Sequence, residues 1–346
     1  MLRTRFTDLV GCSVPVQQAG MGWIAGPDLA AAVADAGGLG MIAMPLVPTA
    51  VLADMLTSLE RRTTGAFGVN FLMPFLDRDG VEVAAGSARV VEFFYGDPDP
   101  ALVATVHAGG ALACWQIGSV AEARAAAEVG CDLIVAQGIE AGGHVRGKLA
   151  LLPLLAQVLD AVDVPVVAAG GIASPRAMAA ALAAGAAAVR VGTLLVATEE
   201  ADAHPDYVQA LIRARSEDTV LTEAFSVMWP DAPHRVLSSA VASAEALASE
   251  TAGQAIMAGA TVPIPRLAPM APTRSVTGAI DAMALYAGQS VGAVQRVQPA
   301  AEVVGQLTQG AERLLRQVAT DLAADPDPGR PAGGTAQAPE LQPPSP

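Results

Sequence analysis

The chain has 346 residues, of which 52% are hydrophobic and only 4% aromatic, and it carries a formal net charge of −14. That length suits one large α/β unit, a barrel typically taking ~250 residues, with room for an elaboration. The acidity argues against a nucleic-acid surface, which needs concentrated Lys and Arg, and no apolar run approaches the ~18 uncharged residues of a membrane span.

The first residues, MLRTRFTDLVGCSV, contain two arginines but no continuous apolar stretch after them, so they do not read as a signal peptide. Cys12, Cys114 and Cys131 are scattered and lack CxxC spacing, which suits a reduced, cytoplasmic setting. Short apolar runs at 14–19, 39–43, 67–71, 89–93, 111–116, 132–136, 165–169 and 187–191 are predicted strands. Helical spacing lies between them at 28–36, 49–61, 101–108, 120–129 and 175–184, with Gly37, Gly109, Gly130 and Gly185 at C′-like positions. Eight βα units with continuous apolar strands imply a parallel sheet covered by helices. Repeated right-handed crossovers close it into a (β/α)8 TIM barrel, with an open doubly wound sheet as the alternative.

The pattern breaks over 202–277, where Trp229-Pro230, Pro233, Pro263, Pro265, Pro269 and Pro272 interrupt it. This reads as a mostly helical insertion after strand eight, lying over the barrel mouth. Helical periodicity returns at 276–288 and 300–323, so residues 1–201 and 278–324 are assigned to the barrel. The segment 325–346 holds seven prolines among small polar residues and is expected to be a disordered tail.

Several segments carry chemistry. Gly20-Met21-Gly22-Trp23-Ile24-Ala25 matches G-x-G-x-x-A, yet 36–53 contains no acidic residue to bind a ribose, which argues against a dinucleotide fold. Glycine at the end of strand one instead lets the backbone approach a flat ring. Gln137-Gly138-Ile139-Glu140-Ala141-Gly142-Gly143-His144 follows strand six and sits at the catalytic face of a barrel, where a histidine can exchange protons near neutral pH. Glu140 and His144 have helical E-x-x-x-H spacing, but Gly142 and Gly143 oppose a helix, so no metal is expected. Gly170-Gly171 after strand seven and Gly192-Thr193 after strand eight suit a phosphate held by backbone N–H groups. Asn70, closing an apolar strand, offers a donor and an acceptor to a heteroaromatic edge. Trp23 and Trp229 are read as packing residues.

These segments in this order, together with 15–22, 36–40, 67–70 and Ala287-Gly288-Gln289-Ser290, resemble the nitronate monooxygenase family over about residues 5–320. The resemblance implies an FMN-containing barrel that oxidises alkyl nitronates with dioxygen to carbonyl compounds and nitrite. It implies that Asn70, Gln137, Gly142, Gly171 and the run Arg190, Val191, Gly192 and Thr193 lie at FMN, joined by Met21 and Gly22, with His144 as the catalytic acid/base. Its partners would be a small-molecule substrate and dioxygen, with no nucleic acid or membrane and a homodimer as the assembly considered. Two residues depart from the family pattern. Arg190 stands where a neutral amide is frequent, and Glu92 stands where a small hydroxyl residue is common, so that a carboxylate near the mouth would repel an anionic nitronate. Flavin-dependent enoyl-acyl-carrier-protein reductases, using NAD(P)H, share similar motifs, and a flavin-binding protein without turnover is the third reading.

Overall fold

The computed structural model describes residues 2–43, 45–257 and 260–323; the expected tail at 325–346 lies outside them. Eight parallel strands form the barrel wall: β1 (Val16–Gln18), β2 (Gly40–Ile42), β3 (Phe67–Leu72), β4 (Val90–Phe94), β5 (Leu112–Ile117), β6 (Leu133–Gln137), β7 (Val166–Ala169) and β8 (Ala188–Val191). Neighbours pair in chain order from β2 to β8, and β8 pairs with β1. The seam between β1 and β2 closes differently. Backbone bonds run from the Gln18 N–H to the Leu39 carbonyl (2.9 Å) and from the Leu39 N–H to the Val16 carbonyl (2.9 Å). The Gln18 side chain then extends the ladder, donating to the Met41 carbonyl at 2.7 Å and accepting from its N–H at 3.2 Å. A side-chain amide thus does the work of a peptide where β1 is too short.

Alternation along each strand divides the residues between two environments. Outward positions such as Val69, Val91, Trp115, Ile134, Ala168 and Val189 pack against the surrounding helices in one continuous core. Many of the helical partners are alanines, so the helices can sit close to the sheet, while Phe67, Phe93 and Trp115 supply bulk from the strands. Inward positions at the lower end, among them Leu39, Val90, Leu133 and Val167, form a separate apolar cluster. Helix Arg5–Val10 closes that end, held by a capping box at Thr4 and inserting Phe6 and Val10 into the cluster. Its last carbonyls accept from the Arg89 guanidinium.

The expected helices are present within a residue or two of their predicted limits, as Pro27–Asp35, Thr49–Arg62, Pro100–Gly109, Val120–Glu128 and Pro175–Ala183. Two more, Arg78–Ser87 and Leu151–Leu159, were hidden by internal glycines and by Pro153. Gly110, with φ of 93°, is the left-handed cap that had been expected at Gly109.

After β8 the helical expectation for 202–277 holds for Pro205–Arg213 and Ser238–Ala246. Strands make up much of the rest. Thr219–Thr222 and Gly143–His144 flank His234–Leu237 in one antiparallel sheet, while Ala260–Pro265 and Thr277–Gly278 flank Thr251–Met257 in another. Pro263 and Pro265 looked like helix interruptions, but they sit on an edge strand, where a missing N–H costs no ladder bond. The expected helical stretch at 276–288 is instead a short strand and the 3-10 turn Ile280–Ala282. Helix Ala300–Ala323 then returns to the barrel flank, where the absence of a side chain at Gly310 admits Pro175 of helix Pro175–Ala183.

Candidate active site

Six of the eight strands carry a polar residue at an inward position, so the upper barrel interior is lined by Gln17, Asn70, Glu92, Gln116, Gln137 and Arg190. Glu92 is fully buried and forms an ion pair with Arg190, which is itself 6% exposed. The carboxylate also accepts from Asn70 Nδ2 at 2.7 Å and from Gln17 Nε2 at 3.0 Å. Arg190 Nη1 donates to Gln116 Oε1 at 2.5 Å. The two departures from the family pattern are therefore each other's partner. Glu92 does not stand exposed at the mouth to repel an anion, because it lies inside the barrel and Arg190 neutralises it.

His144 lies above this layer on the two-residue strand Gly143–His144, paired with His234–Leu237 and in register with His234. Gln137, at the end of β6, donates from Nε2 to the His144 carbonyl at 3.0 Å and anchors that strand to the barrel. The His144 ring stacks on Trp229, with centroids 3.9 Å apart, and has Tyr95, Tyr286 and His234 within 5.2–5.9 Å. Its Nε2 is buried without a hydrogen-bond partner. Burial, with a smaller contribution from His234, pushes its pKa down to about 3, so the ring is neutral at physiological pH. His234 has a different role. Its Nε2 accepts from the Phe225 N–H at 3.2 Å and its Nδ1 bonds the Ala232 carbonyl at 2.8 Å, which fixes the neutral Nδ1–H tautomer and makes it a framework residue.

Sequence reasoning set Trp229 aside as packing, whereas the structure puts it against the His144 ring. Met228 and Asp231, on either side of it, have φ of 70° and 55°, and Tyr95 has φ of 68°. Three non-glycine residues in the left-handed region around one histidine mark a backbone held there by its surroundings. No periodicity in the sequence reports that.

Gly170 and Gly171, with φ of 112° and 68°, make the sharp turn after β7 that a side chain would strain. Ser174 then caps helix Pro175–Ala183. Gly192 precedes the short helix Thr193–Val196, and the Thr193 hydroxyl accepts from the Gly288 N–H at 3.0 Å, leaving its own hydrogen to donate elsewhere. Gly142 is explained by the protein itself: a Cβ there would lie 2.5 Å from the Gly288 nitrogen. The Val191 side chain packs outward, and its carbonyl accepts from the Ala19 N–H. Met21 lies beside Gly192 and its carbonyl closes the following turn, while Gly22 faces Pro45 at ordinary contact distance. The Glu140 carboxylate accepts from the Leu151 N–H at the start of helix Leu151–Leu159. No cluster of metal-ligating side chains occurs among the described residues, and none of their helices is long and apolar enough to cross a membrane.

A model of the nitronate monooxygenase family matches residues 3–83 and 77–310. The (3aS,4S,5R,7aS)-5-hydroxy-7a-methyl-1-oxo-octahydro-1H-indene-4-carboxyl-CoA dehydrogenase of Rhodococcus jostii is 40% identical over 240 residues, covering 69% of this chain. The match spans 66% of that relative, slightly less than two thirds of its length. Among solved structures, FabK from Thermotoga maritima superposes with a TM-score of 0.76 at 29% identity, covering 93% of this chain and 100% of that one. Nitroalkane oxidase from Streptomyces ansochromogenes gives a TM-score of 0.74 at 31% identity, covering 91% and 99%.

Proposed function

Because the chain belongs to the nitronate monooxygenase family, a family of flavin-dependent oxidoreductases, we propose that it is an FMN-dependent oxidoreductase acting on an uncharged carbon skeleton of the acyl thioester class. The residues present fit that cofactor. Gln137 keeps a buried Oε1 without a partner, and the Gly170–Gly171 and Gly192–Thr193 turns bring backbone N–H groups to adjacent strand ends, as a single phosphate requires. Asn70 and Gln137 would hold the ring edge, and Gly171, Gly192 and Thr193 the phosphate. When bound, FMN supplies hydride or single-electron transfer, which no side chain here can perform.

One observation carries the substrate reading: the neutral imidazole of His144, with a buried, unpaired Nε2 and a wall of aromatic rings. An anionic substrate would need a compensating cation in this low-dielectric chamber. The rings around His144 supply none, and the nearby Arg146 is held by Asp97 and Glu122. An uncharged group meets no such penalty, and the buried, unpaired Nε2 is available to hydrogen-bond it. The CoA dehydrogenase relative is consistent with this class of substrate. Nitronate oxidation with dioxygen is the second reading, supported by the likeness to nitroalkane oxidase and by the capacity of Nε2–H to donate to nitro oxygens. Two parallel assays separate them: flavin reduction or NAD(P)H turnover with acyl-CoA thioesters, and oxygen uptake with alkyl nitronates. Activity with thioesters alone supports the first reading. Nitrite release from nitronates without thioester turnover overturns it.

A further inference from the structure

We propose that Glu92 and Arg190 form a buried positioning pair that dictates which end of the Asn70 and Gln116 amides faces the cofactor. The proposal rests on the FMN reading above. An ionised carboxylate only accepts hydrogen bonds, and a guanidinium only donates them. Glu92 therefore turns the NH2 of Asn70 toward itself, through the 2.7 Å bond to Nδ2, and leaves Asn70 Oδ1 for a ligand. Arg190 does the reverse to Gln116. It holds Oε1 at 2.5 Å and leaves the Gln116 NH2 as a donor. A neutral amide in place of Arg190, or a hydroxyl in place of Glu92, would be able to turn either end toward its neighbour and would impose no such choice.

The placement of these residues supports a role beyond packing. Glu92 lies in register between Asn70 on β3 and Cys114 on β5, and Arg190 lies in register with Gln17 on β1. Gln17 Nε2 is also drawn to Glu92, leaving Gln17 Oε1 buried without a partner, as is Arg190 Nε. Three amide side chains, from β1, β3 and β5, are thus sorted by one ion pair into groups that present acceptors and groups that present donors. An acceptor from β3 and a donor from β5 match a flat heteroaromatic edge on which donors and acceptors alternate. Burying an ion pair gives little net stability over apolar packing, so its presence here calls for a reason other than stability.

The test uses Glu92→Gln, Arg190→Gln, the double variant and Arg190→Lys, each examined for thermal stability, FMN affinity by fluorescence titration and the absorption spectrum of bound FMN. Either single glutamine variant should lose stability through an uncompensated buried charge. The double variant should regain much of that stability, yet bind FMN roughly tenfold more weakly than wild type and with a shifted spectrum, because the amides are no longer forced. Arg190→Lys keeps Glu92 ionised and should retain the Asn70 contribution, and hence most of the affinity; it remains informative if the glutamine variants fail to fold. A double variant with wild-type affinity and spectrum, or Arg190→Lys binding as weakly as the double variant, overturns the positioning role. Wild-type protein that takes up no FMN overturns the cofactor reading itself, a result separable from the others because it appears before any substitution.

Discussion

Replacing His144 with glutamine should make the protein less sensitive to acid. The ring is neutral in the fold, and burial pushes its pKa down to about 3 from the ordinary imidazole value of 6.5. Below pH ~6.5 the unfolded chain binds a proton that the folded chain refuses, so stability is fully present above that pH and falls as pH approaches 3. At about pH 5 the loss from this one ring amounts to about 2 kcal/mol, and over the whole window to about 5 kcal/mol. The groups facing the ring are Tyr95, Trp229, His234 and Tyr286, and only His234 titrates near this range. Its pKa is also lowered by burial, and it is present in both proteins, so the comparison reads His144 together with its smaller coupling to His234. Urea unfolding of wild type and His144→Gln at about pH 7 and about pH 5 reads the difference directly. The wild type should lose about 2 kcal/mol more than the variant on acidification. Parallel losses would mean that His144 accepts a proton in the native state, and the neutral-ring argument for the substrate class would fall with it.

Other substitutions probe the same framework. Trp229→Leu should open the His144 ring to water and raise its pKa toward 6.5, visible in an NMR titration of the imidazole; an unchanged pKa would return Trp229 to a packing role. His144→Ala should retain FMN while lowering turnover by about 10²–10⁴, the usual span of a general acid or base, and loss of FMN instead would make it a cofactor ligand. Gln18→Ala removes two bonds to the Met41 backbone at the seam and should cost about 2–4 kcal/mol in denaturant unfolding, since a buried N–H and C=O lose their partner. A change below about 0.5 kcal/mol would show that backbone pairing alone closes the barrel.

The sequence by itself determined the barrel. Eight apolar runs separated by helical spacing leave few ways to bury both faces of a parallel sheet, and the glycines at 37, 130 and 185 mark helix ends because only a left-handed turn fits there. It also carried a signal that went unread: a polar residue at an inward position of six strands, at 17, 70, 92, 116, 137 and 190, spaced so that all face one interior. Sequence treated Glu92 and Arg190 as separate anomalies because they stand 98 positions apart. Only closure of the sheet brings β4 opposite β8 and turns two unfavourable buried charges into one neutral pair. The same holds above the barrel. Strand pairing between Gly143–His144 and His234–Leu237, and the backbone conformations that put Trp229 against His144, depend on contacts between segments remote in sequence. Local periodicity reports which face of an element is apolar, whereas the partner that covers a given side chain, and so its proton affinity, is decided by tertiary structure.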